Sequence, residues 1–335
     1  MLTVRSVETA NEQTRFCELK GLSTLTPRTL ERSRADAHWI LEGDDGGIQA
    51  RCSLWWKNVP QLPDQRIGLI GHYAAYDTAS AVSLLQLACK ELARQGCTLA
   101  IGPMDGSTER RYRLLSERGT EPPFFLEPDN PDDWPGHFTA SGFTPLAHYY
   151  STMHVDFERE DASISILEDR LVREGVILRH LNMDYFEDEL HSIYSLVASS
   201  FRDNFLASPL SEEDFLEMNR GLRPYIQPEL VLLAERENRL VGFVFAVPNW
   251  LQAQRGEEID MLVLKTLAVH PAYRGKGLST LLSERLGTVA YDLGYRRSIH
   301  ALMHEENISR AMSQRRGTQI IRRYTLFSQN LEAGV

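Results

Sequence analysis

The stretch Leu267-Ala268-Val269-His270-Pro271-Ala272-Tyr273-Arg274-Gly275-Lys276-Gly277-Leu278-Ser279 joins an apolar strand to a helix through a loop shaped to hold an anion. Gly275 and Gly277 carry no Cβ, so the chain can turn sharply there and bring its amides close to a ligand. The helix that follows, from about Ser279, aims its unpaired N–H groups at the same point. Each amide–anion hydrogen bond contributes about 1.5–3 kcal/mol and the helix end adds about 0.3–1 kcal/mol. A handful of convergent donors therefore holds a diphosphate without any metal.

The flanks support a strand–loop–helix unit. Met261–Val269 has the composition of a buried strand, and Leu278, Leu281, Leu282, Leu286 and Val289 recur at helical spacing until Gly294 stops the helix. A Walker phosphate loop is excluded, because it needs a glycine five residues before its Gly-Lys-Ser/Thr and no such string occurs.

Arg274, Gly277 and Ser279 resemble the acyl-CoA-binding motif of the GNAT superfamily of N-acyltransferases, Arg/Gln-x-x-Gly-x-Gly/Ala. Serine departs from the last position of that pattern, yet it is small and a favoured helix N-cap. The resemblance covers about 173–330. It implies an α/β (α+β) fold and an acyl-CoA donor, acetyl-CoA or another, held by Leu267, Ala268, Val269, Arg274, Gly275, Lys276, Gly277, Leu278 and Ser279. It also puts Asn307 and the helix behind it beside the pantetheine arm, a place that a plain helix N-cap explains nearly as well.

The remaining elements follow the family's order. Val176–Leu181 reads as a first strand, Phe186–Leu206 as an amphipathic helix and Ser211–Leu222 as a helix opened by a Ser-Glu-Glu-Asp cap. Glu229–Glu237 and Arg239–Pro248 read as a hairpin turning at Glu237-Asn238. Ser298–His304 reads as a short strand, followed by a helix to Arg316 and a terminal strand over Ile320–Phe327.

The first half resembles a second, worn copy of the same fold. Leu2–Val7, His38–Glu42, Ile48–Trp56, Arg66–Ala75 and Cys97–Pro103 read as its strands, with Thr78–Gln95 as the helix after the loop. At that loop stands Tyr76-Asp77-Thr78-Ala79-Ser80, with neither glycine nor arginine and with a carboxylate where a pyrophosphate needs positive charge. The chain thus divides into a degenerate GNAT-like domain (1–158), an acidic connecting segment with helical character (159–173) and a CoA-binding GNAT domain (174–335). Each domain is expected to be a mixed, mostly antiparallel twisted sheet flanked by helices. The tandem layout resembles that of mycothiol synthase, of which only the architecture carries over. The proline-rich stretch Glu121–Pro135 is expected to lie over the first domain.

Composition narrows the partners. The length of 335 residues suits two cores, and 42% hydrophobic with 24% charged residues is ordinary for a globular protein. A formal net charge of −10 argues against a nucleic-acid partner. No 18-residue apolar run argues for a membrane span, and the start of the chain lacks a secretory h-region, so a cytoplasmic location is expected. Cys17, Cys52, Cys89 and Cys97 lack a Cys-x-x-Cys arrangement and read as reduced thiols, with no metal site implied. An acyl relay through Cys97 is the exception to weigh. Arg310, Arg315, Arg316, Arg322 and Arg323 form a local basic group that is either a solvated face or a seat for the CoA 3′-phosphate.

The catalytic groups are less legible. In the family a backbone N–H on the strand before the loop polarises the acyl carbonyl, and the amine attacks directly. The tyrosine that many relatives use as acid, four residues before the helix-ending glycine, is replaced here by Ser313. Tyr324, Tyr273 and Ser313 are the substitutes to weigh. Asp260, His300 and His304 are candidate bases, and strand alternation puts the two histidines on one face, that of the cleft or that of the core. A site without a strong base suits a low-pKa amine, since deprotonating a lysine-like amine at pH 7 costs about 4–5 kcal/mol and an α-amino group only about 1 kcal/mol. The expected activity is therefore acyl-CoA-dependent N-acylation of a small-molecule amine. Acyl transfer to a protein or carrier-bound substrate and non-catalytic acyl-CoA sensing are the alternatives.

Overall fold

The computed structural model describes residues 2–19, 25–155, 162–208, 210–305 and 318–332. In the first half, β1 (Thr3–Ser6), β2 (Ala37–Glu42), β3 (Ile48–Trp55) and β4 (Ile67–Ala75) pair antiparallel in sequence order, with helices α1 (Ala10–Cys17) and α2 (Pro27–Arg32) between the first two strands. Helix α3 (Thr78–Arg94) then crosses to β5 (Leu99–Gly102), which lies parallel to β4. A short β6 (Leu114–Glu117), helix α4 (Trp134–Ala140) and the long β7 (Thr144–Val155) complete this half.

Helix α5 (Ala162–Arg173) leads into the second half. There β8 (Ile177–His180), helices α6 (Phe186–Ser200) and α7 (Glu212–Arg220), and strands β9 (Val231–Arg236) and β10 (Arg239–Pro248) follow. The short α8 (Trp250–Gln254) precedes β11 (Met261–Val269), α9 (Leu278–Asp292), β12 (Arg297–His304) and β13 (Gln319–Asn330), with β12 parallel to β11. Local chemistry sets these elements. Ser211 caps α7 by accepting from the Asp214 amide, and the β9–β10 hairpin turns through Glu237 and Asn238, both at positive φ as a type I′ turn requires. Helix α6 stops at Ser200, short of the expected Leu206.

The thirteen strands among the described residues form one sheet, ordered β1-β2-β3-β4-β5-β13-β7-β12-β11-β10-β9-β8, with β6 on β13. That order is its own mirror image once each first-half strand is matched to its second-half counterpart. Two copies of one fold thus meet at β13 and β7, and they meet by exchange. Strand β13 pairs with β5 of the first copy, while β7 pairs with β12 of the second. Among the described residues, α3 and α4 cover a first-half core around Leu84, Leu85 and Phe138, while α5 and α9 cover a second-half core around Leu171, Leu281 and Leu282. Helices α6 and α7 bury Ile193, Leu196 and Phe215 on the opposite face of the second half.

The proline-rich stretch does not stay on the first copy. Phe124 is buried among Val247, Met261, Val263 and Ile299, and the Phe125 amide donates to Asn249 Oδ1 at 2.9 Å. Burial of its two phenylalanines draws this loop onto the second copy. Arg32 of α2 also crosses between halves, donating to Asp214 of α7 at 3.1 Å.

Candidate active site

The loop between β11 and α9 has the geometry of an open anion cradle. Gly275 and Gly277 sit at φ +74° and +85°, the left-handed region that glycine enters without strain. Gly277 is the N-cap of α9 and brings no side-chain cap, so the first amides of the helix stay available. The Gly275, Gly277 and Leu278 amides have no backbone acceptor among the described residues. The surrounding side chains brace the loop. Arg274 donates to the Ser200 carbonyl at 2.6 Å, Arg170 of α5 donates to the Lys276 carbonyl at 2.6 Å, and Leu167 packs so close that a Cβ on Gly277 would lie 2.8 Å from it. Arg274 is therefore a strut in this structure, while the exposed Lys276 stands over the Tyr273 ring at 5.1 Å.

Strands β11 and β12 pair from Met261↔Arg297 to Leu264↔His300 and then part. Beyond that point, among the described residues, β11 pairs with β10 alone, so its other edge faces a cleft. Which groups face it follows from alternation. The His270 amide donates to Val241 of β10 at 2.9 Å, so Ala268 also turns its amide to β10, and Leu267 and Val269 present N–H and C=O to the cleft. Ala268 is therefore corrected from the ligand contacts: its amide faces β10 and its methyl group is buried against α6 and α7.

A cavity of about 690 Å³ opens where the two strands part. Its deep wall is apolar, from Leu190, Ile193 and Val197 of α6, Phe215 of α7 and Phe243 and Phe245 of β10. Its rim is polar, with Arg110, Arg111 and Arg113 from the first copy and Lys265 and Thr266 from β11. A bulge between Phe245 and Ala246 shifts the pairing at Lys265, so consecutive residues Lys265 and Thr266 both line the cavity. Lys265 Nζ donates to the Leu126 carbonyl at 3.2 Å. Burial, with the Arg113 charge beside it, pushes the Lys265 amine down to about 8. This lysine went unread in the sequence, although one cation inside the apolar run Met261–Val269 was the signal that marks it.

The residues weighed as acid and base sit elsewhere. Tyr324 is fully buried, its hydroxyl donating to Glu127 at 3.0 Å and lying 3.2 Å from Ser151 Oγ, and burial pushes its pKa well above the usual tyrosine range. It belongs to the core. Asp260 stands seven residues before Leu267, roughly 20 Å along the strand, and is gripped by Arg297 at 2.6 Å and 3.0 Å. The Arg297 hydrogen bond holds its carboxyl below the ordinary value, so it is a weak base. His300 is pushed down to about 4 by burial, with His154 adding to the shift. His304 packs edge-on to Tyr149 at 4.9 Å. A bulge at Leu302, φ +62°, shifts the pairing with β7 by one residue, so His300 and His304 fall on opposite faces rather than sharing one. Ser313 and Asn307 lie outside the described residues. Tyr273 accepts from Arg236 at 3.2 Å beside the cradle.

Two other expectations change. Cys97 is buried with its thiol pushed up by desolvation, which removes the thiolate an acyl relay needs. Arg322 is buried and paired with Glu127 at 2.7 Å, so it cannot meet a CoA phosphate.

In the first copy the equivalent cleft is closed. The β4–β5 pairing ends at Leu69↔Ile101, but the Met104 amide then donates to the Ile70 carbonyl at 2.8 Å and Asp105 accepts from the His72 amide at 2.5 Å. Gly71 lies so close to Met104 that a Cβ there would overlap its carbonyl. The chain itself fills the gap. Helix α3 is capped by Asp77, which accepts from the Ser80 amide at 2.8 Å.

Residues 190–317 match the Acetyltransferase (GNAT) family. The Bacterial ceramide synthase of Caulobacter vibrioides (strain NA1000 / CB15N) is 24% identical over 273 residues, covering 74% of this chain and 70% of that protein. Protein YghO of Escherichia coli (strain K12) is 23% identical over 162 residues, and this chain spans only 40% of its length. A solved tandem GNAT protein from the clavulanic acid biosynthesis pathway, without AcCoA, superposes with a TM-score of 0.52 at 12% identity, covering 100% of both chains, a likeness of fold. A match to the GNAT family thus lies within the second half of this chain, and a similar strand-and-helix architecture is repeated around a closed cleft in the first, in a fold like that of the solved tandem GNAT protein.

Proposed function

We propose that the protein is an acyl-CoA-dependent N-acyltransferase whose acceptor is a small amphiphilic amine with an extended apolar chain. The observation that carries this reading is the meeting of two openings: the parted edge of β11 leads directly into the 690 Å³ cavity at Lys265 and Thr266. The α9 amides and the Gly275–Gly277 loop fit a diphosphate, and the cleft-facing groups of Leu267 and Val269 fit the amide-bearing arm of CoA. The donor supplies a thioester. The Leu267 N–H then polarises its carbonyl, and the cavity offers the attacking nitrogen an approach from the α6–α7 side.

Apolar walls of this extent exceed what an acetyl group or a compact polar amine occupies, and burial of hydrocarbon there contributes about 25 cal/mol per Å². The relative named a ceramide synthase supports an acceptor of this kind. The test is to incubate the purified chain with acetyl-CoA or a long-chain acyl-CoA and two amine sets, polar amino acids and long-chain amino alcohols. Thiol release and the N-acyl product are then measured. Preferred turnover of the long-chain amines is expected. Turnover confined to polar amines would refute the amphiphile, and tight CoA binding without turnover of any amine or carrier-bound acceptor would refute catalysis.

A further inference from the structure

We infer that Lys265 receives the proton that the acceptor amine sheds as its nitrogen bonds to the acyl carbon. This inference rests on the N-acyltransferase reading and deepens it. Three observations carry it.

The first is position. Lys265 stands two residues before Leu267, the cleft-facing N–H donor, and the bulge turns its side chain into the acceptor cavity while Leu267 packs toward the α9 face. Base and carbonyl-polarising amide thereby both lie just beyond the point where β11 and β12 part. The second is freedom to change charge. Among the described residues the ammonium makes one hydrogen bond, to the Leu126 carbonyl, and no carboxylate lies within ion-pair distance. A lysine locked to a carboxylate would keep its proton; this one is held only by a neutral oxygen.

The third is the surrounding charge. Arg113 and Glu127 stand nearest, and Glu127 is committed to Arg322 and Tyr324. Glu109, Arg110, Arg111 and Asp129 are the other charged groups lining the cavity, while β10 and β12 contribute the apolar Phe243, Phe245, Ala301 and Leu302. Arg113 is buried between the Tyr112 and Tyr149 rings, at 4.0 Å and 4.1 Å, and has no carboxylate partner among the described residues. Desolvation and that neighbouring cation both favour neutral Lys265, so an appreciable fraction is unprotonated near pH 8.

The step balances without a cofactor. The amine nitrogen forms a bond to the carbonyl carbon, the carbon–sulfur bond breaks, and the thiolate departs with that electron pair. The nitrogen's surplus proton, acidified once nitrogen is bonded to carbon, passes to Lys265 Nζ and then to the thiolate or to water at the rim. The predicted acid, Tyr324, is not needed, because a CoA-like thiol with a pKa of about 8.5 accepts a proton readily from a lysine of similar acidity.

The experiment uses the full chain, a saturating acyl-CoA and an amine that the wild type acylates. The kcat/KM profile of the wild type is expected to rise from pH 6 to a plateau with an apparent pKa near 8. Lys265→Met should lower kcat by about 10²–10⁴ and lose that limb, with CoA affinity by calorimetry unchanged within about twofold. Lys265→Cys should be equally slow and recover on treatment with 2-bromoethylamine, its limb moved to lower pH because the thioether sulfur acidifies the new amine. The native cysteines among the described residues are buried, with Cys89 pushed up to about 12, so the new thiol is the one alkylated. Near-wild-type kcat in Lys265→Met, or rescue with an unmoved limb, overturns the base assignment while leaving the acyltransferase reading intact. A wild type that binds acyl-CoA and acylates no amine overturns both.

Discussion

The two copies share a strand-and-helix plan and differ at the gap beside their central strand. In the second copy, β11 and β12 part after Leu264 and leave the Leu267 and Val269 edge facing a cavity. In the first, β4 and β5 part after Leu69, yet Met104 and Asp105 bond across the gap. The helix ends differ in the same sense. Gly277 leaves the α9 amides open, whereas Asp77 supplies α3 with its own anion, and the Ser80 amide in turn holds the Asp77 carboxyl below the usual range. A worn binding site is therefore not an empty one. Its backbone donors still need acceptors, and the chain has provided them from within.

The largest effect should come from making the open copy resemble the closed one. Gly277→Asp places a side chain at φ +85° against Leu167 and a carboxylate on the helix end. CoA affinity should fall at least about 100-fold, about 2.7 kcal/mol, in a calorimetric titration. Binding within threefold of wild type, in a variant whose circular dichroism is unchanged, would break the assignment of the cradle.

The reverse change should be milder. Asp77→Ala removes the α3 cap and should destabilise the chain by about 1 kcal/mol, seen as a Tm lower by about 2 °C. It should not create a second site, because Met104 and Asp105 still fill the gap. A CoA stoichiometry above one per chain would show that the cap alone keeps the first copy closed.

The smallest effect distinguishes the halves by acid. His38, hydrogen-bonded to Ser53 at 2.7 Å in the first copy, and His300 in the second are each pushed down to about 4 by burial. Their folded pKa values lie below the unfolded value of about 6.5, so the unfolded chain binds more protons between these limits. Stability should fall as pH drops from 6.5 to 4. His38→Gln and His300→Gln should each flatten that fall in urea titrations, and a slope unchanged by both would place the acid sensitivity elsewhere.

Much was legible in the sequence. The glycine pair, the apolar strand before it and the helical spacing behind it are local signals, and the strand and helix they describe lie within a residue or two of the expected bounds. The repeat was legible too, since α3 begins at Thr78 and the hairpin turns at Glu237-Asn238 as their residues dictate. What the tertiary structure alone decided is non-local. The exchange of β7 and β13 between copies depends on pairing partners more than 150 residues apart, such as Tyr149 with Tyr324, and alternation within a strand carries no information about its neighbour. For the same reason Tyr324 read as a candidate acid, and Arg322 as part of a solvated or phosphate-binding face, until Glu127, brought from the first copy, bonded to both. Lys265 gained its character in the same way, because its acidity comes from a cavity whose walls are contributed by both halves of the chain.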